Sequence, residues 1–205
     1  MAFESKGIIK TSDGKEINFS AKLNMSREFT YLEDLHFTAG NAPVVDPLVI
    51  NFNGALPSLT NNKFSFDLDS DGKPDQISIL SPGSGLLALD INNDGIINNG
   101  SELFGPGTGD GFNELQKYDF DENGWIDESD PIFDKLRIWV KDEDGNNSLF
   151  ALGEKGIGAI YMGNIDTPFD IKDNENALMG HIKKSGIFIG ENGSPGIIQH
   201  IDMAI

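Results

Sequence analysis

Three short acidic segments that share one pattern constrain this chain most strongly. They read DLDSDG at residues 67–72, DINNDG at 90–95 and DFDENG at 119–124. In each segment alternate residues carry side-chain oxygens, and a glycine ends the run. Ca²⁺ takes 6–8 oxygen ligands and needs a chain that turns sharply around it. The three segments therefore predict a calcium-binding protein, and a solvated acidic turn is the alternative interpretation for each of them.

The third segment fits the twelve-position EF-hand loop best. Side chains at positions 1, 3, 5, 9 and 12 and the backbone carbonyl at position 7 are the predicted ligands. In order of position they are Asp119, Asp121, Asn123, Trp125, Asp127 and Asp130. Pro131 suits the first turn of a following helix, which Asp130 or Ser129 could cap.

The second segment departs from the EF-hand scheme at its end, because position 12 is a serine. An acidic residue follows one position later, so it can close the loop only if the loop has a non-standard length. The predicted ligands of this EF-hand-like loop are Asp90, Asn92, Asp94, Asn98 and Glu102.

The first segment resembles the calcium loops that lie between strands in β-rich adhesive repeats. Its position 8 is Pro74, which cannot donate the backbone hydrogen bond that pairs EF-hand loops. The predicted ligands are Asp67, Asp69, Asp71 and Asp75. A fourth acidic stretch, residues 142–145, has lost the spacing and is predicted to be a solvated turn.

The composition limits the partners. With a formal net charge of −18, the chain should avoid nucleic acid and anionic membranes. It has no cysteine, and no apolar run is long enough to cross a bilayer, so we expect neither thiolate metal sites nor membrane insertion. Calcium ions are the expected partners, together with another protein if the chain is an adhesive module. We expect any export, to the medium or the cell surface, to use a route without a cleaved N-terminal signal.

The patterning predicts an α+β, mainly β protein with short strands, EF-hand-like calcium loops and a few short helices. Residues 1–43 read as an N-terminal β-hairpin region with a linker at 39–43, and residues 44–205 as the calcium-loop module. Packing of the two regions as one unit is the alternative. A short helix is predicted at residues 148–155. Turns are predicted at residues 184–186, beside the surface pair Lys183-Lys184, and at 191–193.

The bond between Asp46 and Pro47 is chemically special. An aspartate carboxyl can attack its own backbone carbonyl, and the prolyl nitrogen leaves well once it is protonated. A second Asp-Pro pair, Asp130-Pro131, is explained by loop closure and the start of a helix. Asp46-Pro47 joins the linker to a predicted strand, and an ordinary start of that strand is the alternative interpretation.

From Asp46 to about residue 160 the chain resembles the calcium-dependent self-processing module of RTX-type bacterial proteins. The matching motifs are DPLV at 46–49, GLLALDINNDGI at 85–96, NGSELFG at 99–105, the 119–124 loop and LRIW at 136–139. The resemblance implies that calcium folds the module, which then cleaves the Asp-Pro bond at its N-terminal edge. Asp46 would supply the attacking carboxyl and the acyl carbon, and Pro47 the leaving group. A lysine could capture the activated aspartate as an isopeptide.

The whole chain is also similar to a widespread group of uncharacterised bacterial calcium-loop proteins, which implies no function. The self-processing family usually carries a further acidic run directly after its Asp-Pro-Leu, whereas residues 50–55 here read INFNGA. This argues against any direct coupling of calcium to the Asp46 bond. His36, His181 and His200 are isolated and are not candidates. A non-catalytic, calcium-stabilised adhesion or interaction module is the alternative function.

Overall fold

The computed structural model describes residues 2–10, 16–24, 44–54 and 57–204. This part of the chain is mainly β with one short α-helix, which confirms the predicted α+β, mainly β class. None of its helices has the length and apolar character needed to cross a bilayer.

The elements follow one another through short turns and the acidic loops. The strands are β1 (Ala2–Lys10), β2 (Glu16–Asn24), β3 (Val44–Val45), β4 (Leu48–Asn51), β5 (Leu59–Phe66), β6 (Asp75–Leu80), β7 (Ser84–Leu89), β8 (Trp125–Asp127), β9 (Leu136–Lys141), β10 (Asn147–Ala151), β11 (Ile157–Lys172), β12 (Leu178–Gly190) and β13 (Pro195–Ala204). The α-helix is α1 (Gly111–Gln116), and 3₁₀ helices span Gly100–Glu102, Phe133–Lys135 and Gly153–Lys155.

One large antiparallel sheet organises the described residues from position 44 onward. Its strand order is β10-β9-β7-β4-β13-β12-β11-β8, and β3 also pairs with β13. β13, the last strand, therefore lies between β12 and β4 and pairs the end of this region with its beginning. β5 and β6 form a separate hairpin.

Alternating side chains of the sheet feed two hydrophobic cores, as the period of two in a β-strand requires. On β4, Val49 belongs to the core that includes Phe66 and Ile77 of the β5–β6 hairpin. Its neighbour Leu48 belongs to the other core, together with Phe112 of α1. The sheet is thus covered by the hairpin on one face and, on the other, by α1 and the 3₁₀ turns at Phe133–Lys135 and Gly153–Lys155.

The N-terminal hairpin is confirmed, because β1 and β2 pair antiparallel along their length. Its predicted turn, the linker at residues 39–43 and the domain boundary at 43 lie outside the described residues. The division into residues 1–43 and 44–205 stays a prediction.

The predicted helix at residues 148–155 is wrong. The segment begins as β10, in which Leu149 pairs with Trp139 of β9, and only Gly153–Lys155 forms a 3₁₀ turn. Pairing with a neighbouring strand overrides the weak local helix preference of these residues. The acidic stretch at 142–145 forms the turn between β9 and β10, where Asn146 N donates to Asp142 Oδ1 at 2.8 Å.

The predicted turn at residues 184–186 is also wrong, whereas the turn at 191–193 is confirmed. Residues 184–186 lie inside β12, and Gly186 leaves room there for the ring of Phe112, which an added Cβ would approach to 2.8 Å. The pairing with β13 jumps from Ile182 to Lys184, so Lys183 is an extra residue on β12. It forms a β-bulge, which re-aims side chains locally.

We predict that Leu87→Ala lowers the free energy of unfolding by about 2–5 kcal/mol, because Leu87 is fully buried in the central strand β7 and its truncation leaves a cavity. Urea denaturation at saturating calcium measures the change. The matched control is Leu178→Ala in β12, where the side chain is 56% exposed and little change is expected. Equal losses in both variants would contradict this account of the core.

Candidate functional site

The three acidic loops adopt one backbone conformation. Position 4 of each loop has a left-handed φ, 61° at Ser70, 58° at Asn93 and 55° at Glu122. The glycine at position 6 has a φ of +88° at Gly72, +81° at Gly95 and +82° at Gly124. Glycine is the residue that adopts this region at the lowest steric cost. The sequence repeat is therefore a structural repeat.

Backbone N–H groups in each loop point at the acidic side chains. In the third loop Gly124 N donates to Asp119 Oδ2 at 2.8 Å, Asn123 N to Asp121 Oδ1 at 3.2 Å, and Trp125 N to Asn123 Oδ1 at 2.7 Å. The equivalent bonds recur in the first loop and in the second. The loops are thus held around their own side-chain oxygens.

Asp130 closes the third loop. It is buried, and its Oδ1 and Oδ2 accept hydrogen bonds from Phe120 N at 2.6 Å and Asp127 N at 3.1 Å. Its side chain turns back into the loop and does not cap the following 3₁₀ helix, contrary to one role that the sequence allowed. Asp127 Oδ1 accepts from Ser129 N at 2.8 Å, and the Trp125 ring packs on Tyr161.

Glu102 has the equivalent role in the second loop. Its Oε1 accepts from Ile91 N at 3.1 Å and its Oε2 from Asn98 N at 2.8 Å, which are again positions 2 and 9. The longer side chain makes up for the one extra residue in the sequence. In the first loop Asp75 Oδ2 accepts from Leu68 N, the position-2 amide, at 3.1 Å.

The predicted ligands come together as three separate groups. Carboxylate oxygens of Asp67, Asp69 and Asp71 lie within 4.8 Å of one another, and so do those of Asp119, Asp121 and Asp130. In the second loop Asn92 Nδ2 donates to Asp94 Oδ2 at 3.0 Å and to Asn98 Oδ1 at 2.8 Å, which brings these side chains together beside Asp90. Which of these residues are ligands stays a prediction.

Two details of the first loop concern a cation directly. Asp67 Oδ1 is buried and accepts no hydrogen bond from the described residues, which fits an oxygen reserved for a metal ion. Lys73 Nζ lies 3.0 Å from Asp71 Oδ2, and this contact lowers the pKa of Asp71. A bound cation would compete with that exposed lysine. The donor set, carboxylate and amide oxygens, suits a hard cation such as Ca²⁺.

Asp46 and Pro47 form a separate site, where a short break interrupts the pairing of β3 and β4 with β13. Asp46 is only 6% exposed. Its Oδ2 accepts a hydrogen bond from Lys183 Nζ at 2.6 Å, and the same Nζ lies 2.8 Å from Asp202 Oδ1. Oδ1 of Asp46 is buried without a hydrogen-bond partner among the described residues.

The bulge in β12 brings both lysines of the 183–184 pair to this side of the sheet. Lys183 binds Asp46, and Lys184 Nζ donates to Oδ2 of Asp110, the N-cap of α1, at 2.9 Å. Burial works against the charge of Lys183, but Asp202 and Asp46 outweigh it and raise the pKa of the lysine. Burial, with the adjacent Asp46 carboxylate, raises the pKa of Asp202 to about 6.

Gly105 and His200 flank the Asp46 carbonyl. A Cβ added to Gly105 would lie 1.9 Å from Asp46 O and 3.2 Å from His200 Nε2, so all three groups border one small space. His200 is 0% exposed. Burial lowers the pKa of the His200 ring. The charge and the backbone of Asp46 act in the opposite direction but do not outweigh burial.

Sequence reasoning missed His200, Lys183 and Asp202. The sequence held a signal for two of them, because His200 and Asp202 are two positions apart in the mainly apolar strand β13 and therefore share a face. No comparable signal marked Lys183, whose direction depends on the bulge.

The model of the SPM domain family matches residues 48–203 of this chain. Iron-regulated protein FrpA of Neisseria meningitidis serogroup C is 31% identical over 140 residues, which are 60% of this chain and 13% of that protein. The chain thus spans a small part of the length of this curated relative. The family match, in contrast, covers most of the chain and includes all three acidic loops, Lys183 and β13 up to Met203. The chain belongs to the SPM domain family.

Proposed function

We propose that this chain is a calcium-binding module that completes its fold when Ca²⁺ fills the acidic loops, and that it then cleaves its own Asp46–Pro47 bond. One observation carries the proposal: residues 102–105 connect the second loop, which Glu102 closes, to the Asp46 carbonyl, against which Gly105 packs.

The case for calcium rests on the geometry of the loops. Each presents side-chain oxygens at the positions that an EF-hand loop uses, with the same backbone turn and a carboxylate at its end. When bound, Ca²⁺ would supply positive charge to a chain whose net charge is −18. Without it, the carboxylates gathered in each loop repel one another, so the metal-free fold should be looser.

The second loop is linked to the cleavage site by a chain of contacts. Glu102 closes the loop through its two backbone hydrogen bonds. Two residues later, Phe104 O accepts from Leu48 N at 2.8 Å. The next residue, Gly105, packs against the Asp46 carbonyl and is itself held by Glu114 of α1, whose Oε2 accepts from Gly105 N at 2.7 Å. Closing the loop therefore positions both sides of the Asp46–Pro47 bond, without the acidic run that residues 50–55 lack.

The arrangement at Asp46 suits attack of the side chain on its own backbone. Lys183 holds Oδ2, which leaves the buried Oδ1 as the nucleophile. Oδ1 bonds to the Asp46 carbonyl carbon, the carbon–nitrogen bond to Pro47 breaks, and the prolyl nitrogen takes up a proton. The product is a five-membered cyclic anhydride, which water or a lysine then opens. Asp202 can supply protons near neutral pH, because its pKa is raised to about 6.

Two further observations support a cut at this position. The family match begins at residue 48, directly after Pro47, so the bond lies at the edge of the matched region. The resemblance to the self-processing modules of RTX-type proteins, which cleave an Asp-Pro bond at their N-terminal edge, supports the same position.

A second candidate function is a non-catalytic module that calcium stiffens for binding another protein. Phe120 and Ile91, at position 2 of the third and second loops, are 79% and 61% exposed. Exposed apolar side chains on a rigid loop are suited to protein contact. Calcium binding without any cleavage would favour this function.

We predict that calcium changes the fluorescence of Trp125, which lies inside the third loop, in a Trp139→Phe background. Asp119→Ala should weaken this response at least about tenfold in calcium concentration, because affinity follows the number and charge of the ligands. Asp144→Ala removes the same charge from the exposed β9–β10 turn and should leave the titration unchanged. A flat titration, or Asp119→Ala behaving like the parent, would remove the third loop as a site.

We predict that the chain, purified with a chelator, cleaves after millimolar Ca²⁺ is added. Mass spectrometry should show fragments 1–46 and 47–205, or a branched product of unchanged mass with Pro47 as a new N-terminus if a lysine captures the anhydride. Asp46→Asn should abolish both products. If the chain binds calcium and folds but stays intact, the cleavage proposal is wrong and the calcium proposal still holds.

We predict that Gly105→Ala slows cleavage at saturating calcium by at least about tenfold. The Cβ of the new alanine would displace the Asp46 carbonyl from the position in which Oδ1 can attack it. The matched control is Gly109→Ala. Gly109 also has a left-handed φ, +74°, but its added Cβ would meet nothing closer than Asp46 Oδ2 at 3.7 Å. Equal rates in the two variants would argue against coupling through Gly105.

A further inference from the structure

His200 is the least explained polar residue of the described chain. Its side chain is fully buried, and neither Nδ1 nor Nε2 has a hydrogen-bond partner among the residues that the structure describes. Buried side-chain nitrogens are nearly always hydrogen-bonded, because an unpaired polar atom costs free energy in the interior. A histidine kept in this state needs a reason beyond packing.

The position of the ring supplies that reason. His200 lies on β13 directly opposite Leu48, the residue after Pro47. Its Nε2 and the Asp46 carbonyl oxygen border the same small space over Gly105, which only a glycine leaves open. Burial lowers the pKa of the ring, and the charge and backbone of Asp46 act in the opposite direction, as expected of groups beside it.

We propose that His200 Nε2–H donates a hydrogen bond to the Asp46 carbonyl oxygen as that oxygen gains negative charge during the attack. The inference rests on the proposed cleavage and assigns a catalytic residue to it. When Asp46 Oδ1 bonds to the carbonyl carbon, the carbonyl electron pair moves to the oxygen and the carbon becomes tetrahedral. The pair returns when the bond to Pro47 breaks and the prolyl nitrogen takes a proton.

The ground state explains the missing partner. Donors that stabilise a transition state are placed for the position of the oxyanion, and their hydrogen bonds are long or poorly aligned before the reaction. A neutral imidazole has a single N–H, so this role requires the tautomer protonated at Nε2. Burial keeps the ring neutral near pH 7.

The other groups of the site have different tasks. Lys183 binds Oδ2 of Asp46 and orients the carboxylate, and Asp202 lies on the far side of that lysine. Lys184 and Asp110 pair with each other. Of these groups, His200 is the one placed at the carbonyl oxygen.

The test compares cleavage rates of His200→Phe and His200→Gln at saturating calcium. Removing an oxyanion donor typically costs about 10²–10³ in rate, so His200→Phe should slow cleavage by that factor. His200→Gln, which retains an N–H donor, should recover part of the rate. His181→Gln is the control, since His181 of β12 is partly exposed and pairs with Asp170 of the neighbouring strand β11. The calcium titration of Trp125 should be unchanged in each variant.

A second measurement does not depend on cleavage. In the Asp46→Asn variant, which keeps the backbone carbonyl, ¹⁵N chemical shifts of the imidazole should show the tautomer protonated at Nε2. A ring protonated at Nδ1 would overturn the inference, and this readout also decides the case if His200→Phe does not fold.

The outcomes separate the two proposals. Wild-type cleavage with His200→Phe within about threefold of its rate overturns the role of His200 and leaves self-cleavage standing. A wild-type chain that never cleaves overturns self-cleavage, and the role of His200 with it. Loss of rate in His200→Phe, with partial recovery in His200→Gln, supports both.

Discussion

A carboxylate that accepts backbone N–H groups closes each acidic loop, and much of the described chain depends on these closures. Asp130 and Glu102 each bind the amides of positions 2 and 9, and Asp75 binds the position-2 amide of the first loop. Such bonds between a charged acceptor and backbone donors are stronger than neutral ones, and they fix a loop whose other carboxylates repel one another. The elements that leave these loops then take up defined positions against the sheet.

The β-bulge at Lys183 is the second device on which the site depends. In a regular strand, neighbouring residues point to opposite faces. The extra residue brings Lys183 to Asp46 and Lys184 to Asp110, so one irregularity supplies both contacts on the same side of the sheet. A buried carboxylate paired to a lysine in this way costs desolvation, which the lysine offsets through a short, charged hydrogen bond.

The sequence was informative where structure is local. The loop conformation follows from side chains that bind amides a few residues away, so its repeat was visible in the residues at 67–72, 90–95 and 119–124. The fold class followed from strand patterning. The helix expected at 148–155 and the turn expected at 184–186 failed, because pairing with β9 and β13 decides both segments. The surroundings of Asp46 could not be read in advance, since Lys183 and Asp46 are 137 positions apart and meet only through the sheet.

The position of Asp46–Pro47 between β3 and β4 makes the two sides of the bond unequal. Upstream, β3 is a two-residue strand that, among the described residues, forms a ladder only with β13. Downstream, β4 is paired on both edges, with β7 and with β13. A break there would leave every other strand of the large sheet in one continuous piece of chain. Of the strands in the large sheet, only the two-residue β3 would lie upstream of the break, so the pairing among the other strands of that sheet would not depend on the cut bond.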